Sequence, residues 1–103
     1  MLSHARGEVR AYQAIGRIRN VLIVSADPVN AEGACVCIDV TDVMPISENV
    51  ALSLSVALGD GLYAKCLNIS RINPDNLRDL LFTVDDDVLD SVDRALKRLL
   101  DLS

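Results

Sequence analysis

Two apolar runs, Val21-Leu22-Ile23-Val24 and Cys35-Val36-Cys37-Ile38, stand on either side of a segment rich in turn formers. No other feature narrows the possible folds as much. The first run is led in by Arg19-Asn20 and is apolar without alternation, as a strand buried on both faces should be. It predicts a strand over residues 19–26. The second run continues into Asp39-Val40-Thr41 and predicts a strand over 34–41. Between them, Asp27-Pro28-Val29-Asn30-Ala31-Glu32-Gly33 reads as a loop from its Pro, Asn and Gly content.

The remaining segments extend this pattern. Residues 7–15 predict a strand that turns at Gly16. Pro45 interrupts the chain, and Val50-Ala51-Leu52-Ser53-Leu54-Ser55 then alternates with the period of a half-buried strand. Gly59-Asp60-Gly61 is a turn, and residues 62–69 predict a further strand. Asn73-Pro74-Asp75-Asn76 starts a short helix with proline in its first turn, and a short strand over Leu80–Thr83 follows. In the last segment Val88, Leu89, Val92, Ala95, Leu96, Leu99 and Leu100 recur at helical spacing. Asp85 suits the N-cap of that helix, Asp86 and Asp87 its positive end, and Lys97 and Arg98 its negative end. Asp90–Arg94 and Asp93–Lys97 have the spacing of ion pairs along the helix. The triple aspartate therefore reads as a cap and a solvated face, not a metal site. These elements give a single α+β domain over residues 1–103, a compact, mostly antiparallel barrel or sheet closed by a C-terminal helix.

Composition excludes several functions. Half of the 103 residues are hydrophobic, which excludes disorder and allows one modest core. No apolar stretch reaches the roughly 18 residues of a membrane helix, and the first residues lack the apolar core of a signal peptide. The expectation is a cytoplasmic protein with no membrane partner. Cys35, Cys37 and Cys66 are odd in number and lie in apolar runs, as reduced core thiols do. The single histidine, His4, cannot build a two-histidine ribonuclease or a Ser-His-Asp triad. Cys35-X-Cys37 has no second Cys/His pair to complete a zinc site. No glycine loop for phosphates is present, and Tyr12, Tyr63 and Phe82 are too few for a base-stacking platform. Net charge is −5, against strong nonspecific binding of nucleic acid. Yet residues 1–26 carry Arg6, Arg10, Arg17 and Arg19 against only Glu8, a local +3, while the rest carries −8. A phosphate-binding face would thus involve the first two strands. On charge alone, these arginines read as solvated edge residues.

The order of the motifs resembles the MazF/PemK family of toxin endoribonucleases. Arg6-Gly7-Glu8-Val9 resembles the family's opening strand, Arg19 through Asn30 its second strand and turn, and Cys35 through Thr41 its third strand. Asn68 through Asn73, followed by Leu77, is similar to its later strand and short helix, and Val92-Asp93-Arg94-Ala95-Leu96 to its terminal helix. The resemblance covers about residues 6–101. It implies an SH3-like or CcdB-like barrel with a C-terminal helix, assembled as a homodimer. It also implies metal-independent cleavage of single-stranded RNA, no cofactor, and inhibition by a cognate antitoxin. In that chemistry the RNA 2'-hydroxyl attacks its neighbouring phosphate, and the protein positions the phosphate and neutralises growing charge. The resemblance makes Arg19 and Thr41 the catalytic pair. Arginine offers a planar fork to phosphate oxygens, and threonine offers a hydroxyl donor. It also assigns Arg17, Lys65, Asn68 and Arg71 to the flanking nucleotides.

The chain departs from the family pattern at several positions. Asn20 follows the arginine where proline is usual, and the loop before it shrinks to Gly16-Arg17-Ile18. Arg10 stands for an aromatic, Asn68 for a glutamine, Ser70 for an arginine and Leu67 for an acid. Asp39 and Asp42 flank Thr41, where they either point away from its face or repel phosphate. Two alternatives follow. One is a catalytically weak or inactive member that acts by binding an antitoxin. The other is a CcdB-like gyrase poison, which would rely on the end of the terminal helix, Leu99 to Ser103.

Overall fold

The two apolar runs lie side by side in the middle of one curled antiparallel sheet. The computed structural model describes residues 4–43 and 54–100. The strands are β1 (Glu8–Ala14), β2 (Arg17–Ile23), β3 (Cys35–Thr41), β4 (Ser55–Gly59), β5 (Leu62–Ile72) and β6 (Leu77–Thr83). A short helix, α1 (Asp27–Ala31), links β2 to β3, and α2 (Asp86–Leu100) follows β6. The strand order is β4-β5-β3-β2-β1-β6, with every neighbouring pair antiparallel. The sheet forms a half-barrel with α2 packed on it, the α+β architecture expected from the sequence.

The unalternating runs have a direct cause, because both faces of the central strands are covered. Leu22, Val24 and Ile38 join Val9, Ala64 and Cys66 in a core that receives Val92 and Ala95 of α2. Val88, Leu89, Leu96 and Leu99 of the helix pack around it. On the opposite face Val21, Ile23, Cys35 and Cys37 form a smaller cluster with Tyr12, Ile72 and Leu77. Each buried Leu or Ile contributes about 1.5–3 kcal/mol. The Asp85 carboxylate accepts from the Val88 amide at 3.0 Å, which is the cap expected for α2.

Several boundaries moved, each for a local reason. β1 and β2 meet through a two-residue loop, Ile15-Gly16, with Ala14 facing Arg17. Gly16 takes φ of +78°, so the turn closes tightly and β2 starts at Arg17 instead of residue 19. The expected loop at 27–33 contains the turn α1, started by Pro28 and an Asn30 N–H to Ala26 carbonyl bond of 3.0 Å. β5 runs on to Ile72 because it bulges. Asp39 faces Lys65, but the next residue back, Ile38, faces Ile69, so three residues of β5 have no partner on β3. The short helix after Asn73 is a 3-10 turn at Pro74–Asn76, capped by the Asn73 side chain on the Asp75 amide at 3.0 Å. β6 begins at Leu77, ahead of the expected Leu80. Most of the strand expected over 50–55 lies outside the described residues. Asp93 is held by Arg6, whose Nη2 donates to both its oxygens at 2.8 and 2.7 Å, in place of the expected Lys97.

Candidate RNA-facing site

Side-chain alternation puts Arg19, Val21 and Ile23 of β2 on one face, together with Cys35, Cys37, Asp39 and Thr41 of β3. The β2–β3 register pairs Asn20 with Val40 and Val21 with Asp39. Continued by one residue, it brings Arg19 opposite Thr41. β5 adds Lys65 opposite Asp39 and Tyr63 opposite Thr41. β1 adds Tyr12 opposite Arg19. Two cations, a carboxylate, a hydroxyl and two phenol rings therefore share one patch at one end of the sheet.

Arg19 is held from two sides. Its guanidinium lies 5.3 Å from the centre of the Tyr12 ring, a stacking contact of about 0.5–1 kcal/mol. Its Nη1 reaches the two Asp39 oxygens at 3.3 and 3.5 Å. Its Nε is buried and, among the described residues, has no hydrogen-bond partner. An unsatisfied buried donor costs about 1–3 kcal/mol, which offsets part of what the Asp39 and Tyr12 contacts contribute. Thr41 ends β3 half-buried, and its Oγ1 accepts from the Val43 amide at 3.1 Å. That bond uses a lone pair of the oxygen and leaves the hydroxyl proton free to donate.

The other expected contacts divide. Arg17 is exposed, on the Arg19 face, two residues nearer the hairpin tip. Lys65 is exposed beside Asp39. Asn68 sits in the β5 bulge, where it lines a small cavity of about 70 Å³ with Lys65, Cys66 and Leu54. Arg71 faces Val36, and Val36 packs on the core beneath α2. The register thus turns Arg71 away from the Arg19 patch. It borders a separate surface cavity of about 330 Å³ with Gly33, Asn73 and Pro74.

Tyr12 and Asp39 were not singled out as site residues from the sequence, though both left a signal there. Two-residue spacing from Thr41 puts Asp39 on the same face, and the Ile15-Gly16 loop implies the Tyr12–Arg19 pairing. The buried thiols lie on both sides of the sheet, Cys35 and Cys37 beneath the patch and Cys66 in the core under α2. Burial, then the neighbouring Cys35, pushes the Cys37 thiol far up. Burial pushes Cys66 up to about 11. Among the described residues no group of three or more His, Cys, Asp or Glu side chains is placed to hold a metal. Among the described residues no helix is long and apolar enough to cross a membrane.

Comparison with known proteins places the whole chain in a family. The family model described as the PemK-like, MazF-like toxin of type II toxin–antitoxin systems matches residues 6–100. Similar solved structures include an endoribonuclease bound to its cognate antitoxin from a mycobacterial species. It has a TM-score of 0.84 and 24% identity over 98% of each chain. A mycobacterial endoribonuclease has a TM-score of 0.83 and 24% identity, over 99% of this chain and 95% of that one. A MazE-MazF complex from Deinococcus radiodurans has a TM-score of 0.81 and 20% identity over the whole of both chains. At these identities the structures speak for the fold. No curated protein sequence matches the chain.

Proposed function

The chain belongs to the PemK-like, MazF-like toxin family of type II toxin–antitoxin systems, and on that premise we propose that it is an endoribonuclease that cleaves single-stranded RNA without a metal. One observation carries the reading most directly. Arg19 is fixed by Tyr12 and Asp39 across from Thr41, with its Nε buried and, among the described residues, unpartnered, an arrangement that supports a role in holding a ligand. In the proposed reaction the RNA 2'-hydroxyl attacks the adjacent phosphorus and the 5'-oxygen leaves. Arg19 binds the phosphate, neutralises charge that grows on its oxygens and protonates the leaving oxygen. Thr41 donates a hydrogen bond to the same phosphate. Lys65 and Arg17 take the flanking phosphates, and Asn68 meets a base near the bulge. Arg71 lies on the far face, so the RNA has to wrap the sheet to reach it.

The partners follow from the same premise. One solved relative is bound to its cognate antitoxin and another is a MazE-MazF complex; we assign this chain a cognate antitoxin, a homodimeric assembly and a cytoplasmic setting. The deciding experiment uses pure protein, long unstructured RNA and excess chelator. Wild type cuts at a defined short sequence, and Arg19→Ala and Thr41→Ala each cut about 10²–10³-fold more slowly. Uncut RNA with wild type, or full activity in Arg19→Ala, defeats the proposal. Asp39 against Arg19 favours a second reading, a member that only binds an antitoxin. Tight antitoxin binding without cleavage at any protein concentration would establish it.

A further inference from the structure

We propose that Asp39 is the general base of the RNA cleavage, taking the proton of the attacking 2'-hydroxyl; the inference rests on the endoribonuclease reading. Transfer of a phosphoryl group to a 2'-oxygen needs a proton acceptor as well as a charge clamp. The patch contains few groups that qualify. A guanidinium and an ammonium have no lone pair, so Arg19 and Lys65 donate only. Thr41 Oγ1 already accepts from Val43, and burial keeps the Cys37 thiol protonated. His4 precedes the turn at Arg6-Gly7 that leads into β1, close enough to Glu8 to act on its charge. Among the described residues, Asp39 is the one carboxylate in contact with Arg19.

The geometry suits that role. Asp39 lies two residues before Thr41 on the same face, opposite Lys65 and bonded to Arg19 Nη1. Only Nη1 is taken by the carboxylate, and Nη2 is not engaged by Asp39. Repulsion between Asp39 and a phosphate at 4 Å is about 1–4 kcal/mol across the range from water to a protein surface. Arg19 and Lys65 each oppose it with an attraction of the same order. The patch therefore still draws a phosphate while holding a base beside it. The step balances. The 2'-O–H proton passes to the Asp39 carboxylate, the O2'–P bond forms, and the P–O5' bond breaks with its electrons going to O5'. That oxygen takes a proton from Arg19. The products are a 2',3'-cyclic phosphate and a 5'-hydroxyl, and water returns Asp39 and Arg19 to their starting states.

The test uses a short RNA containing the sequence that wild type cuts, and its uncleavable counterpart with a 2'-deoxy group at the cut. Asp39→Asn should cut about 10²-fold or more slowly in single turnover, yet bind the deoxy strand as tightly as wild type or more tightly. Asp39→Glu should recover at least about tenfold of that loss. Loss of cleavage together with loss of binding would make Asp39 a structural residue and overturn the proposal. Cleavage by Asp39→Asn at or above the wild-type rate would make Asp39 a mere occupant of Arg19, and overturns it as well. In that case wild type still cuts and this inference alone falls, whereas wild type that leaves RNA whole defeats the reading beneath it.

Discussion

Asn30 shows how a residue remote from the chemistry sets the site. It is 7% exposed, and both ends of its amide are used. Nδ2 donates to the Ser25 carbonyl at 3.0 Å, and Oδ1 accepts from the Ser25 hydroxyl. The Ser25 oxygen in turn accepts from the Val36 amide at 3.0 Å. The end of β2, α1 and the start of β3 are thus tied by one network. Asn30→Ala strands buried partners and should cost about 1–3 kcal/mol, read as a lower urea midpoint; an unchanged midpoint contradicts the network. Glu8 supplies a pH effect. Burial raises its pKa, but the Arg10 hydrogen bond at 2.7 Å, the Ala5 amide and the charges of Arg10 and His4 outweigh it and hold the carboxyl below its usual range. A depressed folded-state pKa stabilises above the unfolded value and is lost as pH falls through the folded one. Glu8→Gln should therefore melt lower than wild type at neutral pH, and the gap should close under strong acid. At this scale the sequence was legible where a residue speaks alone: Asn30 marked a turn, and Asp85 marked a cap. It was less legible where a contact depends on a distant strand, as with Asp93, which Arg6 takes from Lys97.

Among the elements, the join between β1, β6 and α2 depends on Gly7. Its φ is +94°, its amide donates to the Ile23 carbonyl at 2.8 Å, and its carbonyl accepts from the Val84 amide at 2.9 Å. A Cβ there would sit 3.3 Å from Leu89 Cδ1. Gly7→Ala should cost about 1–2 kcal/mol from backbone conformation, with crowding of α2 added, and should lower thermal stability. A melting point equal to wild type would contradict this. Continuous apolar runs revealed β2 and β3, and helical periodicity revealed α2. The bulge of β5 left no comparable mark, because Cys66-Leu67-Asn68 contains no Gly or Pro to punctuate the strand. Without the bulge, the facing of everything after Lys65 is undetermined, and the resemblance that assigns Arg71 to RNA carries no sign that its side chain lies on the face opposite Arg19.

For the whole molecule, the separation of charge matters more than its total. An acidic protein of net charge −5 presents Arg17, Arg19 and Lys65 on one face of its first strands and β5. Three phosphate contacts to a single strand correspond to a slope of about −2 in the logarithm of affinity against the logarithm of salt. A much steeper slope would mean a wider basic track, drawing on Arg10 or Arg71. The architecture was readable because strand and helix patterns are local. The patch was readable only through family resemblance, since no spacing states that Arg19 and Thr41 are neighbours across two strands.

The three sealed thiols give the protein a clock. Cys35 and Cys37 lie 3.9 Å apart at 1% exposure and Cys66 is fully covered, while only a thiolate reacts quickly with alkylating or disulfide reagents. Labelling therefore waits for the sheet to open. Cys66 is covered by the core beneath α2, and the other two by the cluster under the Arg19 face. The rate at which each is modified reports how often its own side of the sheet comes apart. RNA bound on the Arg19 face should slow labelling of Cys35 and Cys37 more than that of Cys66. A single native-state labelling series, read residue by residue, would then show where the bound strand lies.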